Sequence, residues 1–430
     1  MRIGIISILF LLCGSVLYSQ KVLTIQDAIS IGLKNNFDIQ IARTEAEIDK
    51  TNNTAGNAGM MPNINLNLGA GYALNTTRQE LYNRNVISKS GASVQTYNAG
   101  VVLNWTIFDG MKMFTTKQKL YEIEKLGELK YRSQLQQSVS LIIASYYDIV
   151  KQSQQLNAVL EVKALSGERM KLGETRFKAG LSPKTEMLQA EIDYNIQLQN
   201  EVLQRNIIEE SKRKLNQLIN RELSEDFVPD ENIPVTGIDS TDAVNKIMQN
   251  NPAIQSLNQQ LEIQKLSVNE FESSYLPLVN LTAGYLLNLS ENSGSQVNYN
   301  RGYGPQIGVT FSVPLYQGGN ITRQVQTSGL EYNSLLLQLE SLKTQSLTQF
   351  RNALNQFKTQ LKFLEIEEKT KIVAKENLFL AMERLKLSQT TSIEVRDAQL
   401  SYENSLTRLS NIRYNLKIAE TQIKLLMGEL

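Results

Sequence analysis

The sequence contains no histidine and only one cysteine among its 430 residues. Without histidine the chain lacks the commonest general base and metal ligand, which argues against hydrolytic or zinc-dependent chemistry. No nucleophile–base pair, glycine-rich phosphate loop or cluster of metal ligands is recognisable either. The formal net charge is +1, so no strong field favours nucleic acid or an acidic partner. We therefore expect neither an enzyme nor a cofactor.

Long apolar runs are also scarce, and no segment after the N-terminus reaches the ~20 apolar residues of a membrane-spanning helix. Residues 1–19 combine Arg2 with a short apolar stretch, a pattern typical of a secretory signal peptide. Cleavage before Gln20 would remove Cys13 and leave a mature chain without thiols. Lipidation of Cys13 is the less favoured alternative, because the bulky Leu12 stands where such sites need a small residue.

Proline is sparse too, and two of its 8 occurrences mark a unit that the chain contains twice. Asn36 and Pro62 are 26 positions apart, and so are Asn251 and Pro277. In both copies a helical pattern ends before the proline, and an alternating pattern begins directly after it. We therefore predict an internal two-fold repeat with a proline-containing linker. The first half, the linker and the second half are placed at 20–223, 224–240 and 241–430.

Four segments alternate between apolar and polar residues with a period of two, as strands with one apolar and one wet side do. In the first of them, Ile64, Leu66 and Leu68 alternate with asparagines. Each segment is long enough to cross an outer membrane at a tilt, with its apolar side facing lipid. Polar loops are expected within each strand pair, at 75–95 and 290–302. The predicted strands are 62–73, 96–108, 277–289 and 303–315.

Helices account for most of the remaining sequence. The first begins with Thr24 as its N-cap and continues to about Thr54. Later segments place apolar or small residues alternately four and three positions apart, the spacing of a coiled-coil seam, as at Ala398, Tyr402 and Ser405. A run of about 65 helical residues would be roughly 100 Å long, which no compact globular core needs. The predicted long and return helices are 111–175, 183–220, 319–383 and 391–428.

Four strands are too few to close a barrel. In lipid, each unpaired N–H or C=O group at an open sheet edge costs several kcal/mol, so other chains must complete the sheet. Three copies would supply about 12 strands around a lumen, and the long helices would form a matching tube. Closure requires partner chains but does not fix their number. The predicted fold is an α+β membrane protein with a shared outer-membrane β-barrel continuous with a long α-helical barrel.

Taken together, these features resemble the TolC-like outer-membrane efflux channel family, the outer membrane factors of tripartite efflux pumps and type I secretion systems. The resemblance covers the whole mature chain. It implies a homotrimer in the outer membrane whose helical barrel lies in the periplasm and opens like an iris. It also implies a periplasmic adaptor and an inner-membrane RND or ABC transporter as partners. The residues that carry it are the LTIQDAI opening at 23–29, Phe108-Asp109-Gly110, Tyr316-Gln317-Gly318-Gly319, both proline–strand junctions and both helical turns.

The resemblance assigns the family's acidic periplasmic constriction to Glu394 and Asp397, which are three positions apart and hence on one helix face. Glu186 is the possible counterpart in the first half. Rings of such acids in a trimer would attract cations and repel anions. From the residues alone, both acids equally fit solvated side chains near a helix N-terminus. The chain departs from the family pattern at Leu385 and Thr390, where the family often has a tyrosine and a basic residue.

The resemblance also implies that the adaptor contacts the two helical turns, although any such tube needs turns at these places. The docking residues would be Arg176, Lys178, Gly180, Pro183, Arg384 and Ser388. Strands and helices would join at Pro62, Gly110, Pro277, Gly318 and Gly319.

Two other interpretations remain open. A passive outer-membrane porin would share the strands, but such proteins normally close their barrel from one chain and need no long helices. A structural periplasmic coiled-coil protein would share the helices, but two-faced strands of membrane length argue against it. The sequence does not reveal the cargo.

Overall fold

The structure is a computed structural model that describes residues 22–238 and 241–430. The expected signal peptide, with Cys13, lies outside the described residues. The chain divides into two units. We call residues 40–134 and 244–348 the sheet unit, and the described residues up to 39, 135–243 and 349–430 the helical unit.

The sheet unit contains one antiparallel sheet with the strand order β2-β3-β5-β6. Directly opposed residues of an antiparallel pair lie on the same face of the sheet. The register of this sheet places polar residues opposite polar ones and apolar residues opposite apolar ones. Asn104 lies opposite both Asn63 and Thr282, and Leu281 lies opposite both Trp105 and Val309. One face is therefore apolar and the other polar across all four strands. The strands are β2 (Asn63–Glu80), β3 (Val86–Phe108), β5 (Leu278–Asn292) and β6 (Tyr299–Ser312).

Five strand boundaries differ from the prediction by more than one residue. The loop expected at 75–95 is mostly strand, because the ladder continues past a bulge between Asn75 and Thr77 although both faces are polar there. Only 81–85 form the turn, in which the Leu81 amide donates to the Asn85 carbonyl at 2.9 Å and the Arg84 amide donates to the Leu81 carbonyl at 2.8 Å. In the second pair the ladder also extends further than expected, so that the loop at 290–302 narrows to 293–298. At its other end β6 stops at Ser312 rather than at 315, because Pro314 has no N–H to donate.

The single helix expected at the start of the first half is two helices, α1 (Ile25–Asn35) and α2 (Phe37–Asn52). Asn36 separates them: its side chain accepts a hydrogen bond from the Ile39 amide at 3.0 Å and donates one to the Leu218 carbonyl at 2.7 Å. Thr24 caps α1 through a capping box with Asp27. In the second half, Asn251 likewise separates α5 (Ala243–Asn250) from α6 (Pro252–Glu272).

The helical unit is built from the long helices and the helices that follow them. These are α3 (Lys112–Lys178), α4 (Lys184–Leu218), α7 (Asn320–Lys386) and α8 (Ser392–Met427), of which α3 and α7 also contribute to the sheet unit. The coiled-coil spacing of α8 correctly identifies its core face, since Ala398, Tyr402, Ser405, Leu409, Ile412, Leu416, Ala419, Ile423 and Leu426 are all buried. On α7 the matching seam is only partly covered: Phe350 and Phe357 are buried, whereas Leu361 is exposed.

Polar contacts join α3 to α8 along their length within the helical unit. Gln399 donates to the Ser166 hydroxyl at 2.6 Å, and Gln155 donates to Asn411 at 3.2 Å. Gln136 donates to the Gly428 carbonyl at 3.1 Å. Because the α3 partner moves towards lower numbers as the α8 partner moves towards higher ones, the two helices run antiparallel.

A buried tyrosine fixes the linker that was expected to have little regular structure. Two short strands, β1 (Val22–Leu23) and β4 (Val228–Pro229), pair in parallel. The Tyr146 hydroxyl donates to the Leu23 carbonyl at 2.9 Å and accepts a hydrogen bond from the Asp230 amide at 2.9 Å. Tyr146 therefore connects both short strands to α3. Among the helices of the described residues, none has an apolar stretch long enough to cross a membrane.

We predict that Tyr146→Phe destabilises the helical unit by about 1–3 kcal/mol, because it leaves the buried Leu23 carbonyl without its partner. The neighbouring Tyr147 provides the control. It is equally buried, and burial raises its pKa to about 12, but in the described residues its hydroxyl has no hydrogen bond. Denaturant unfolding in detergent, followed by circular dichroism, should show a much smaller loss for Tyr147→Phe. Equal losses of stability in Tyr146→Phe and Tyr147→Phe would show that the hydrogen bonds of Tyr146 do not stabilise the helical unit.

Candidate functional site

The turns between α3 and α4 and between α7 and α8 have the same backbone structure. In the first, the Leu181 amide donates to the Arg176 carbonyl at 2.8 Å, and in the second the Gln389 amide donates to the Arg384 carbonyl at 2.8 Å. This six-to-one hydrogen bond is the Schellman motif, which requires a left-handed residue just before its donor. Those residues are Gly180, with φ +72°, and Ser388, with φ +56°.

The two turns therefore differ in strain. Glycine adopts the left-handed conformation freely, whereas a serine there costs of order 1 kcal/mol or more. The Ser388 side chain has a contact that offsets this cost: Arg176 Nη1 donates to its hydroxyl at 2.9 Å and to the Leu385 carbonyl at 2.7 Å. Arg176 thus ties the first turn to the second. Leu385, which departs from the family pattern, has a side chain buried in the core, and its backbone carbonyl accepts the hydrogen bond from Arg176.

Glu394 is held at the start of α8. Arg384 Nη1 donates to its carboxylate at 2.9 Å, and the Thr390 hydroxyl donates to its other oxygen. Its own amide donates to the N-cap Thr391 at 3.3 Å. The Thr390 position, where a basic residue was expected, therefore serves to hold Glu394. Asp397 is exposed and forms no ion pair with any described residue.

A cleft of about 400 Å³ lies beside the turns, between the first turns of α4 and α8. It brings Arg176, Pro183 and Glu186 together with Arg396, and neither Glu394 nor Asp397 lines it. Three threonines, a serine, a glutamine, an isoleucine and one further carboxylate complete its wall. The lining therefore combines charged, hydroxyl and amide groups with the apolar surface of Pro183 and Ile393. Lys178 points elsewhere and pairs with Glu174 of its own helix at 2.6 Å.

Sequence reasoning missed a buried ion pair next to this cleft. Arg169 is only 2% exposed and pairs with Asp193, which also accepts a hydrogen bond from Gln189 at 2.9 Å. Burial lowers the pKa of the Arg169 guanidinium, and the charge of Asp193 opposes this change. The pair joins α3 to α4. No periodic pattern could have found it, because a single arginine on a long helix normally reaches solvent.

Further charged contacts join the remaining helices. The Tyr402 hydroxyl donates to Glu161 at 2.9 Å, and Lys375 lies 3.2 Å from the same carboxylate, so α3, α7 and α8 meet there. Arg408 of α8 donates to Glu367 of α7 at 2.8 Å. Among the described residues, no group of histidine, cysteine, aspartate and glutamate could hold a metal ion.

The predicted strand–helix junctions lie in the sheet unit. Gly110 has φ +72°, and a Cβ there would lie 2.4 Å from the Ser273 carbonyl oxygen, so glycine is required. Gly318 and Gly319 are also left-handed, at φ +62° and +73°. Pro62 and Pro277 directly precede β2 and β5. The Trp105 indole N–H donates to the Met60 carbonyl at 2.9 Å.

Comparisons with known proteins agree with this geometry. The sequence model of a family described as outer membrane efflux protein matches residues 28–221 and 243–429. Outer membrane protein TolC of Vibrio cholerae is 24% identical over 382 residues, which cover 88% of this chain and 84% of that protein. Proteases secretion protein PrtF of Dickeya chrysanthemi is 18% identical over 422 residues, or 96% of this chain and 89% of that protein.

Solved structures share the fold. The CmeC outer membrane channel of Campylobacter jejuni superposes with a TM-score of 0.78 at 19% identity, covering 94% of this chain and 85% of that one. The outer membrane protein VceC of Vibrio cholerae gives a TM-score of 0.75 at 16% identity, covering 94% and 96%. The mixed helical and strand architecture described above is therefore that of outer-membrane channels.

We predict that Asp193→Asn destabilises the helical unit by about 3–5 kcal/mol, because it leaves the charge of Arg169 buried and unpaired. Removing both charges in the double variant Arg169→Met, Asp193→Leu should recover most of the lost stability. Glu174→Gln, which breaks the exposed pair with Lys178, is the control and should leave the unfolding midpoint unchanged. Chemical unfolding in detergent measures all three variants. If Asp193→Asn unfolds at the wild-type midpoint, the Arg169–Asp193 pair contributes nothing to stability.

Proposed function

Because this chain belongs to the outer membrane efflux protein family, we propose that three copies of it assemble into one exit duct. Membership places the protein in the outer membrane as an efflux or secretion channel, in a family of channels rather than enzymes. The number of copies, the gate and the docking partners are our proposals.

The main observation that supports this assembly is the four-stranded sheet, which has one apolar face, one polar face and two open edges. Its edges are β2 and β6, and its strands alternate in direction, so β6 of one copy can pair with β2 of the next. Three copies would give about 12 strands and satisfy every edge that would otherwise be unpaired in lipid. The apolar face would contact lipid and the polar face would line the lumen.

The internal repeat supports the same assembly. Helices α3 and α7 contain 67 residues each, and both begin and end 208 positions apart. Six nearly equivalent helix pairs from three copies could therefore surround one tube. Exposed apolar residues on α7 at seven-residue spacing, namely Ile366, Val373 and Leu380, are the surface that a neighbouring copy would cover.

The gate would lie at the turns. Ion pairs hold each helix pair together, through Arg169–Asp193 in the first and Arg384–Glu394 in the second. Between the pairs, Arg176 donates hydrogen bonds to the second turn, and Leu165 and Leu172 of α3 pack against the buried apolar cluster of α7 and α8. Opening could therefore separate the two pairs at the turns without breaking either one. Glu394 and Asp397 would stand near this periplasmic end as rings of three.

Docking partners follow from the relatives. TolC and PrtF are named as an outer membrane protein and a protease secretion protein, respectively. By analogy, a periplasmic adaptor would contact the two turns and the adjacent cleft, and an inner-membrane transporter would deliver the cargo. The mixed charges and hydroxyl groups of the cleft suit the polar surface of such an adaptor.

The mass of the detergent-solubilised protein, with particle images, tests the assembly. Three copies in an elongated particle with a pore are expected. A water-soluble monomer, or a barrel closed by one chain, would contradict the proposal. Retention of the purified protein on an immobilised adaptor would separate an exit duct from a passive porin.

We predict that Arg176→Gln increases the open fraction of the channel in planar bilayers roughly tenfold or more. The variant loses charge-assisted hydrogen bonds to the second turn, which contribute about 1.5–3 kcal/mol. Lys178→Gln removes the same charge two residues away but breaks only an exposed pair within α3, so its conductance should equal that of the wild type. Equal conductance in all three proteins would show that Arg176 does not hold the gate shut.

A further inference from the structure

We propose that Arg301 and Tyr303 bind the phosphate group of a lipid in the outer leaflet of the membrane. This inference rests on the proposed duct, in which the apolar face of the sheet contacts lipid. Both residues belong to the edge strand β6, two positions apart and therefore on one face. That face is the apolar one, because Tyr303 lies opposite Leu287 and Arg301 lies opposite Leu289.

Arg301 stands at the outer boundary of the apolar face. The long helices follow the opposite ends of the strands, after Phe108 and Ser312, so in the proposed duct the end near Arg301 faces the cell exterior. Between those ends and Arg301, the apolar face of the four strands carries no lysine, arginine, aspartate or glutamate. Residues directly opposed across the sheet form rows. The row of Arg301 also contains Ala70, Tyr97 and Leu289, and the next row outward consists of Tyr72, Gln95, Glu291 and Tyr299.

The position of Arg301 along β6 agrees with the thickness of a membrane. It lies ten residues from Phe311, which is on the same face near the other end of the strand. Ten residues span about 33 Å along a strand. At the tilt of outer-membrane strands this is about 25 Å across the membrane, the height of the apolar band of such barrels. Arg301 would therefore lie at the level of the outer head groups, where a charge on the lipid face costs little.

The guanidinium of Arg301 is exposed, and its donors are free to bind an anion. It lies over the Tyr303 ring, 5.4 Å from the ring centroid, a contact that uses no N–H group. In residues 22–238 and 241–430 no carboxylate pairs with it, and Glu291 stands one row further out. Its planar fork can thus donate two parallel hydrogen bonds to a phosphate.

The surroundings favour a lipid over soluble phosphate as the source of this group. Directly inward from Arg301, Tyr303 and Leu287 present apolar surface in the row that also contains Leu68 and Ala99. An acyl chain could lie along this surface while its head group reaches Arg301. Each copy in the duct would offer one such site on its outer, lipid-facing side.

Binding of lipid A, a glycolipid with two phosphates, tests this proposal. The full chain is assembled in detergent and titrated with lipid A, and the bound copies are counted by native mass spectrometry. Arg301→Gln should weaken binding at the tightest sites about tenfold, because charge-assisted hydrogen bonds are lost. Lipid A without its phosphates should bind the wild type as weakly.

Arg78→Gln is the matched control. Arg78 is exposed and lies on the same face, since β2 keeps its alternation where the extra residue of the bulge belongs to β3. It stands eight residues beyond Ala70, and hence beyond the row of Arg301 and outside the apolar band. Its loss should leave the affinity for lipid A unchanged.

Three results would overturn the proposal: wild-type affinity in Arg301→Gln, an equal loss in Arg78→Gln, or displacement of lipid A by excess inorganic phosphate. If Arg301→Gln does not assemble, Tyr303→Leu keeps the charge but removes the ring beneath it. That variant should lose affinity about threefold, and an unchanged affinity would equally contradict the site. A wild-type protein that forms no three-copy assembly would instead refute the duct.

Discussion

Backbone hydrogen bonding at the two edges of the sheet is the constraint on which the rest of this protein depends. The register that keeps asparagine opposite asparagine and leucine opposite tryptophan gives the sheet one face for lipid and one for water. Such a sheet has nothing to bury its apolar face against within its own unit, and β2 and β6 end it on both sides. Its N–H and C=O groups can be satisfied in a membrane only by further strands. The assembly that we propose follows from this requirement.

The gate that we propose sets a different requirement for the helical unit, whose parts hold together and separate at one end. The buried ion pair lies within the first helix pair, whereas one pair contacts the other through neutral side chains such as Gln399 and Ser166. One partly exposed ion pair, Lys375 with Glu161, also joins the two pairs. Breaking a buried ion pair costs several kcal/mol, and a neutral hydrogen bond or a partly exposed ion pair costs less. The distribution of contacts thus defines which surfaces can part. The strained Ser388 lies on such a surface. Its hydroxyl accepts a hydrogen bond from Arg176, which a glycine, the residue at the equivalent position 180 of the first turn, could not do.

Much of this arrangement could be predicted from periodicity. The alternation around Ile64 and the four-and-three spacing around Tyr402 identified faces correctly, because burial of a strand or helix face imposes a fixed period on the sequence. Periodicity failed where the backbone itself forms the structure: the polar ends of β2 and β3 remain in the ladder without an apolar face. It also could not pair side chains from different helices. Arg169 with Asp193 and Arg384 with Glu394 depend on the register between helices, which no single sequence displays.

The described ends of the chain have a practical consequence for labelling. Leu23 is buried in the same core cluster against which Leu430 packs, and the Gly428 carbonyl is hydrogen-bonded to Gln136. A fluorophore attached at Leu23 or Gly428 would disturb this packing. The turn at 81–85 offers the opposite environment, since the Tyr82 side chain is fully solvated there and contributes nothing to a core. An epitope inserted between Tyr82 and Asn85 would displace no buried side chain.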